Sequence, residues 1–433
     1  MLTLRQIFTL GKQASHFFFL VLLIAAYPIA AQQVTFSKVS KPEGSFAGII
    51  NGISQDPLGY MWFSVWERGL YRSDGYNLTV YQNEPMNPFS LATNGVDPVF
   101  ADHNGIIWVG TQSSGLDRLD PNTGIFANFR HKADDPGSLS DNEVKVIFED
   151  HAGTLWVGTL NGLNKLDQQT GKFTRYMHSP NDSTSLSCNQ VRAICEDREN
   201  TLWVGTASFN NVNNRSSKEG GLNRFNRTTG KFTRYLNNPE DSHSLVDNRV
   251  GAMLADSKGN FWVCTAGDGL HLMDRKTGKF ERYRYDPRHP EKLSGPPRKK
   301  NVDLDIDLFF IQEDGSGAIW IGASEGWITR YDPATRKINH YDSFNDDVQA
   351  MQSVSGAYTS RDGVLWITTW SGDVYQVDPF HVIKRLFQSI PLLLRNQSRL
   401  ITWWRGAGSK MTEGFMGASL KEFFRTRIQE TVQ

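Results

Sequence analysis

The sequence predicts an all-β protein, a seven-bladed β-propeller of four-stranded antiparallel blades. Three observations predict this fold. A tryptophan-anchored motif occurs seven times, each occurrence is surrounded by four short strand-like segments, and no segment between them shows the 3.6-residue apolar spacing of a helix. The chain has 433 residues, of which 39% are apolar, so it is long enough to bury a core of this size.

The repeat is aligned on seven tryptophans spaced 46 to 59 residues apart. Aspartate stands six residues before six of them, Ser360 before the seventh, and glycine or asparagine stands three residues before each. Glycine and asparagine adopt positive φ at low cost, and aspartate accepts hydrogen bonds from the amides that follow it, so D-x-x-G predicts a tight turn between two strands. The seven anchors, which we expect in the core, are Trp62, Trp108, Trp156, Trp203, Trp262, Trp320 and Trp366.

The third unit shows the strand pattern of one blade. Its four predicted strands are Val144–Glu149, Thr154–Thr159, Gly162–Asp167 and Lys172–Met177. A "TG" turn joins the third strand to the fourth in four of the units, at Gly124, Gly171, Gly230 and Gly278. Four short strands in a period of roughly 45 residues are typical of a propeller blade.

An isolated strand precedes the first unit, at Val34–Ser40. An exposed strand edge favours aggregation, and pairing both chain ends within one blade removes it. We therefore expect this segment beside the last unit, near Gly363 to Asp378. The propeller is assigned to residues 34–387.

Both ends of the chain depart from the repeat. Residues 1–31 have the pattern of a signal peptide, because Arg5 and Lys12 precede a short apolar run that ends in small residues. An uncleaved membrane anchor is the alternative. Residues 388–433 form a non-repeat tail, for which we consider two interpretations: an amphipathic docking helix, and a truncated or out-of-frame end.

Composition excludes some functions. The 46 acidic and 46 basic side chains leave no surplus positive charge for a nucleic acid. The three cysteines, Cys188, Cys195 and Cys264, have no metal-ligand spacing and make no disulfide framework. We predict no cofactor, no metal and no catalytic residue.

Three phrases carry a resemblance to a known family: "GTLWVGTLNGLNKLD", "GLNRFNRTTGKFTRY" and "NPEDSHSLVDNRV". They resemble the two-component regulator propeller repeats of bacterial periplasmic sensors, which form the N-terminal region of hybrid histidine kinases. Many of these sensors respond to polysaccharide fragments. The resemblance implies a periplasmic, exported sensor module of a Gram-negative bacterium, whose kinase output domains are not in this chain.

Strand order predicts the binding face. The tight D-x-x-G and T-G turns lie on one face, whereas the connections from second to third strand and from one blade to the next lie on the other, which we call the variable face. Both long insertions, Ala207 to Gly220 and Tyr285 to Asp307, belong to the variable face. Variable loops on a rigid scaffold are the usual place for binding residues.

Two tryptophans stand at equivalent places on the variable face. Trp66 and Trp370 each follow an anchor by four residues, in the first and seventh units, which ring closure makes neighbours. Indole faces stack on sugar rings. The alternative is that both indoles pack against the closure seam, the contact between the first and seventh blades. The predicted ligand-binding residues are Trp66, Trp370, Glu67, Arg68, Gln112, Ser324 and Glu325.

Other patterns on this face have competing interpretations. A series of asparagines, fourteen residues before an anchor, suggests a polar ring, but loop capping is the preferred interpretation; its members are Asn94, Asn142, Asn189 and Asn248. Alternating Asp303, Asp305 and Asp307 suggest a calcium site, although no further oxygen ligands are evident.

The function predicted is therefore a periplasmic ligand-sensing propeller of a two-component system that binds a carbohydrate or another small polar ligand. Expected partners are that ligand and a signalling protein or a second copy of the chain. The first alternative is a propeller glycoside hydrolase or lyase, for which Arg68 with Tyr71, or Arg282 with Tyr283, are the candidate residues. The second alternative is a protein-docking scaffold.

Overall fold

The computed structural model describes residues 34–39, 48–208, 219–266, 269–283, 288, 308–323, 327–342 and 354–379. These residues form seven four-stranded antiparallel sheets, which are the seven predicted blades. No helix of the described ranges has the length and hydropathy that crossing a membrane requires. The predicted signal peptide and the C-terminal tail lie outside the described residues.

In six blades successive strands pair in chain order, and in the seventh the last described strand of the chain pairs with the first. The innermost strands are β2 (Ile50–Gln55), β6 (Val96–Ala101), β10 (Val144–Glu149), β14 (Val191–Glu196), β18 (Val250–Ala255), β22 (Leu308–Glu313) and β26 (Val354–Thr359). The second strands are β3 (Met61–Val65), β7 (Ile107–Thr111), β11 (Leu155–Thr159), β15 (Leu202–Ala207), β19 (Phe261–Thr265), β23 (Ile319–Ala323) and β27 (Leu365–Thr369).

The outer half of each blade completes the sheet. The third strands are β4 (Gly69–Ser73), β8 (Leu116–Asp120), β12 (Gly162–Asp167), β16 (Gly220–Asn226), β20 (Gly269–Asp274), β24 (Trp327–Asp332) and β28 (Val374–Val377). The outermost strands are β5 (Leu78–Tyr81), β9 (Ile125–Phe129), β13 (Lys172–Tyr176), β17 (Lys231–Tyr235), β21 (Lys279–Tyr283), β25 (Lys337–Asp342) and, in the seventh blade, β1 (Phe36–Lys38).

The chain ends close the ring as predicted. Strand β1 pairs antiparallel with β28, with Phe36 opposite Val377 and Lys38 opposite Tyr375. Lys38 Nζ lies 2.9 Å from Asp373 Oδ1. The N-terminal strand thus supplies the outermost strand of the blade that contains Trp366, and the seventh sheet has no missing edge.

The D-x-x-G turn does more than the sequence pattern suggests. Asp150 Oδ1 accepts hydrogen bonds from the amides of Ala152 and Thr154, at 3.0 and 2.9 Å, which is the predicted turn. Its Oδ2 also accepts the indole Nε1–H of Trp156 at 2.8 Å. The same indole–carboxylate bond, 2.7 to 2.9 Å long, recurs in all six blades that have the aspartate. The turn and the core anchor are therefore one unit.

Glycine or asparagine is required at the fourth position of this turn. All seven residues have positive φ, from 59° at Asn200 to 100° at Gly59. The glycine at the end of the "WVG" segment is required for a different reason. A Cβ added to Gly158 would lie 2.5 Å from Cγ1 of both Val146 and Val191, because the innermost strand of the next blade packs directly against it.

The anchors fill the spaces between blades, with one exception. Six of the seven tryptophans are buried, and each has an aromatic ring of its own outermost strand against it, as Tyr176 does on Trp156 at 6.0 Å. The expectation that all seven are buried is wrong for Trp366, which is half-buried. Val39, directly after strand β1, and not an aromatic residue, is hydrogen-bonded to Val374 in that blade. Ser360, in the aspartate position, accepts the Trp366 indole at 3.2 Å.

Candidate functional site

The two predicted stacking residues are accessible and lie at the same end of the closure seam. Trp66 is 38% exposed and Trp370 is 46% exposed. The Trp66 amide donates to Ile49 O at 2.8 Å, at the start of the first blade's innermost strand. The Trp370 indole donates to Val354 O at 3.2 Å, at the start of the seventh blade's innermost strand. Partial exposure of both indoles argues against their being simply buried in the seam.

The innermost strands of these two blades touch. Ser355 Oγ, in the seventh blade, donates to Ile50 O, in the first, at 2.8 Å. Both tryptophans border the strand starts that this hydrogen bond joins. The pair therefore occupies one sector of the inner rim on the variable face.

The other predicted residues divide between this sector and its surroundings. Glu67 and Arg68 are exposed in the turn that carries Trp66. Glu67 has a φ of 56°, an uncommon conformation for a residue other than glycine or asparagine. Gln112 is half-buried in the next blade, and its amide donates to Gly95 O at 3.0 Å. Ser324 and Glu325 lie outside the described residues, as do Asp303, Asp305 and Asp307 of the calcium hypothesis.

The asparagine series has a structural role. The side-chain oxygens of its four members each accept the backbone amide eleven residues earlier, at the start of the loop from the preceding blade, at 2.6 to 2.8 Å. Asn189, for example, accepts the amide of His178 at 2.6 Å. These oxygens cap loops, which confirms the preferred interpretation.

One feature of the inner rim is not evident from the sequence. Each innermost strand has a β-bulge directly after its first residue. A bulge redirects a side chain and is frequent beside binding sites. The residues at the seven bulges are Asn51, Asp97, Lys145, Arg192, Gly251, Phe309 and Ser355. Strand periodicity alone treats these residues as ordinary strand positions, so the bulge could not be predicted.

Three bulge residues and one neighbour form a charged group, which we call the channel-mouth cluster: Asp97, Glu143, Lys145 and Arg192. Lys145 Nζ lies 2.7 Å from Asp97 Oδ2 and 2.8 Å from Glu143 Oε1. The Arg192 guanidinium donates to Gln190 Oε1 at 3.3 Å. Burial lowers the pKa of Arg192, while the carboxylates of Glu143 and Asp97 oppose that shift. Lys145 therefore pairs with both carboxylates, and Arg192 stands at the bulge of the next blade.

The candidate residues of the hydrolase alternative have structural partners. The Arg282 guanidinium donates to Ser244 O at 2.7 Å and to Asp241 O at 2.8 Å, and so clamps the loop that precedes its blade. Arg175 and Arg234 make the same contacts in their blades. Tyr283 packs on Trp262, and burial raises its pKa. Tyr71 is buried. The structure does not assemble these residues into a catalytic group.

Two further features of the described residues concern possible sites elsewhere on the molecule. In the part of the chain that the structure describes, no three His, Cys, Asp or Glu side chains are grouped to hold a metal ion. A groove of about 730 Å³ lies between the fourth and fifth blades, lined among others by Glu199, His243, Lys279 and Arg282. It contains none of the predicted ligand-binding residues, and Arg282, the one hydrolase candidate among its lining residues, clamps a loop of the fold, so the groove is not the favoured site.

Comparison with known families supports the resemblance found in the sequence. Residues 138–161, 185–208 and 244–267 match the family model described as two component regulator propeller. Each match spans a loop end, an innermost strand, a D-x-x-G turn and a second strand. Three of the seven units therefore match the two-component regulator propeller repeat, as predicted. A search among curated proteins gives no match.

Solved structures share the fold. The extracellular domain of a proposed hybrid two-component system from B. thetaiotaomicron is 23% identical, with a TM-score of 0.60, over 77% of this chain and 40% of that one. A second such domain, of a proposed one-component system from the same organism, is 20% identical, with a TM-score of 0.58, over 79% of this chain and 40% of that one. The chain thus spans about two fifths of the length of these structures.

An enzyme also has this fold. Virginiamycin B lyase from Staphylococcus aureus is 14% identical, with a TM-score of 0.55, over 80% of this chain and 99% of that one. At such identities these likenesses establish the propeller fold alone, because one fold serves many functions.

Proposed function

We propose that this chain is an exported, periplasmic ligand-sensing propeller of a two-component system, which binds a carbohydrate or another small polar ligand on its variable face. The observation that carries the proposal is the pair Trp66 and Trp370, whose indoles are 38% and 46% exposed beside the same seam. Large apolar side chains exposed together on a rigid scaffold mark binding sites, and paired indoles suit the apolar faces of sugar rings.

The repeats and the fold support the sensing role. Three units match the two component regulator propeller model, and two similar structures are extracellular domains of proposed one- or two-component systems. On this proposal, ligand binding is communicated to a signalling partner or within a homodimer, and output chemistry belongs to other domains. Glu67, Arg68 and Gln112 would supply polar contacts around the indoles, together with Ser324 and Glu325.

The experiment that tests this proposal is calorimetric titration of the chain with a panel of oligosaccharides, each followed by product analysis. Binding without turnover supports the sensor. Cleavage or elimination of any panel member would replace it with the second candidate, a propeller hydrolase or lyase, which the fold shared with virginiamycin B lyase favours. Absence of binding across the panel would contradict the proposed ligand class.

A further inference from the structure

We propose that the channel-mouth cluster is a second subsite for the ligand and that it selects uncharged polyhydroxy ligands, such as neutral oligosaccharides, over acidic or basic ones. This inference rests on the proposed function, because it assumes that a ligand binds on the variable face. To the proposed function, the inference adds the class of ligand that binds and the residues that discriminate among ligands.

The cluster belongs to the same inner rim as the two tryptophans. Hydrogen bonds connect the bulges around this arc: Ser355 Oγ donates to Ile50 O, and Asn51 Nδ2 donates to Val96 O at 3.2 Å. The next contact along the arc is the ion pair between Asp97 and Lys145. A ligand that stacks on the indoles can therefore extend along a continuous polar rim to the cluster.

The charges of the cluster favour a neutral ligand. Lys145 pairs with Asp97 and Glu143, and Arg192 stands at the next bulge along the rim, so the four side chains together carry no net charge. A uronic or sulfated sugar is usually held by surplus positive charge, and an amino sugar by surplus negative charge. Sugar hydroxyls need neither, because each can donate to a carboxylate and accept from an ammonium group. The Asp97 and Glu143 side chains are 21% and 32% exposed, so both are partly accessible to a ligand.

Joining the blades does not require these charges. At the neighbouring bulges the neutral side chains Asn51 and Ser355 already link adjacent blades through carbonyl oxygens. Moving an ion pair out of water costs free energy that a neutral hydrogen bond avoids, so a partly buried ion pair is a poor choice for a purely structural link. Direct contact with a ligand would explain why Asp97 and Lys145 are charged, whereas the blade-linking residues Asn51 and Ser355 are neutral.

The experiment is calorimetry with three probes: a neutral cello-oligosaccharide series, an acidic oligogalacturonate and a basic chitosan oligomer. The wild-type chain should bind a neutral probe at least about tenfold more tightly than either charged probe, the ratio that one hydrogen bond to a charged group provides. Asp97→Asn gives the cluster net positive charge while keeping an acceptor for Lys145, and should shift the preference toward oligogalacturonate.

The uncharged double variant, Asp97→Asn with Lys145→Gln, separates binding from structure. It keeps a donor and an acceptor between the blades and leaves the cluster without net charge, so its melting temperature should be close to that of the wild type. The ligand hydroxyls lose their hydrogen bonds to charged groups, so neutral-probe affinity should fall about tenfold. Wild-type affinity in a folded double variant would overturn the inference, as would equal wild-type affinity for acidic and neutral probes.

The two proposals fail in different ways. If only a charged probe binds, and Trp66→Ala with Trp370→Ala abolishes that binding, the proposed site stands and the selectivity is wrong. If no probe binds the wild-type chain, both proposals are wrong.

Discussion

The indole Nε1 of Trp156 lies 2.8 Å from Oδ2 of Asp150, and the same carboxylate oxygen lies 2.7 Å from Arg227 of the next blade. One aspartate thus closes its turn, fixes the core tryptophan and links two blades. Burial raises the pKa of Asp150, but the bonds from Trp156 and Arg227 outweigh it and hold the pKa below its usual value. This residue stabilises the fold on the face opposite the proposed site.

Asp150→Ala should therefore lower stability without changing ligand affinity. It leaves a buried indole N–H without its acceptor, which costs about 1–3 kcal/mol. Trp156→Ala should cost about 3–5 kcal/mol, as for other buried large aromatic residues. Chemical denaturation measures both. Asp120→Ala is the matched control, because its turn is outside the core, and an equal loss there would show that the indole contact contributes nothing.

The buried carboxyl group of Asp117 should make the stability of the fold depend on pH. Its carboxyl is fully buried in the third strand of the second blade, and burial raises its pKa to about 6, despite hydrogen bonds from Ala92 and Asn128. Because the folded protein binds this proton more tightly than the unfolded chain, the carboxyl of Asp117 stabilises the fold fully below about pH 3.8. That contribution to the free energy of unfolding is lost as pH rises through about 6. The loss amounts to about 3 kcal/mol near pH 7.5.

Asp117→Asn should remove this penalty, since Asn164 and Asn223 occupy the same position in the next two blades and accept the equivalent amide at 2.9 Å. We expect the variant to exceed the wild type in unfolding free energy at pH 7.5, with the difference much reduced at pH 4. Denaturant titrations at the two pH values measure it. A difference independent of pH would contradict the buried-charge explanation.

The "WVG" glycine should tolerate no larger side chain. At Gly158 an added methyl group would meet valines on two innermost strands at 2.5 Å, so Gly158→Ala should destabilise the fold by about 1–3 kcal/mol through overpacking. At Gly95, which is also on an inner rim, an added methyl group meets nothing closer than 3.6 Å. Gly95→Ala is the control and should leave the melting temperature nearly unchanged; equal effects at both sites would show that blade packing does not set the requirement.

Features that depend on local sequence were predictable, and features that depend on side chains brought in from distant segments were not. The predicted strands of the third unit agree with β10 to β13 within one residue, because turn glycines and strand alternation are local signals. The Asp97–Lys145 pair joins residues of different blades through bulges, which shift the strand register without a sequence signature. The half-burial of Trp366 depends on which strand the distant N-terminus supplies.

The central claim, that Trp66 and Trp370 bind the ligand, is tested most directly by calorimetric affinity of the double variant Trp66→Ala with Trp370→Ala, beside its melting temperature. Tyr76→Ala is the matched control, since Tyr76 is an aromatic residue 86% exposed on the tight-turn face. Each lost stacking contact should cost about 0.5–1.5 kcal/mol of binding free energy, so the double variant should bind its oligosaccharide at least about fivefold more weakly with little change in melting temperature. The control should bind like the wild type. Unchanged affinity in a folded double variant would contradict the account.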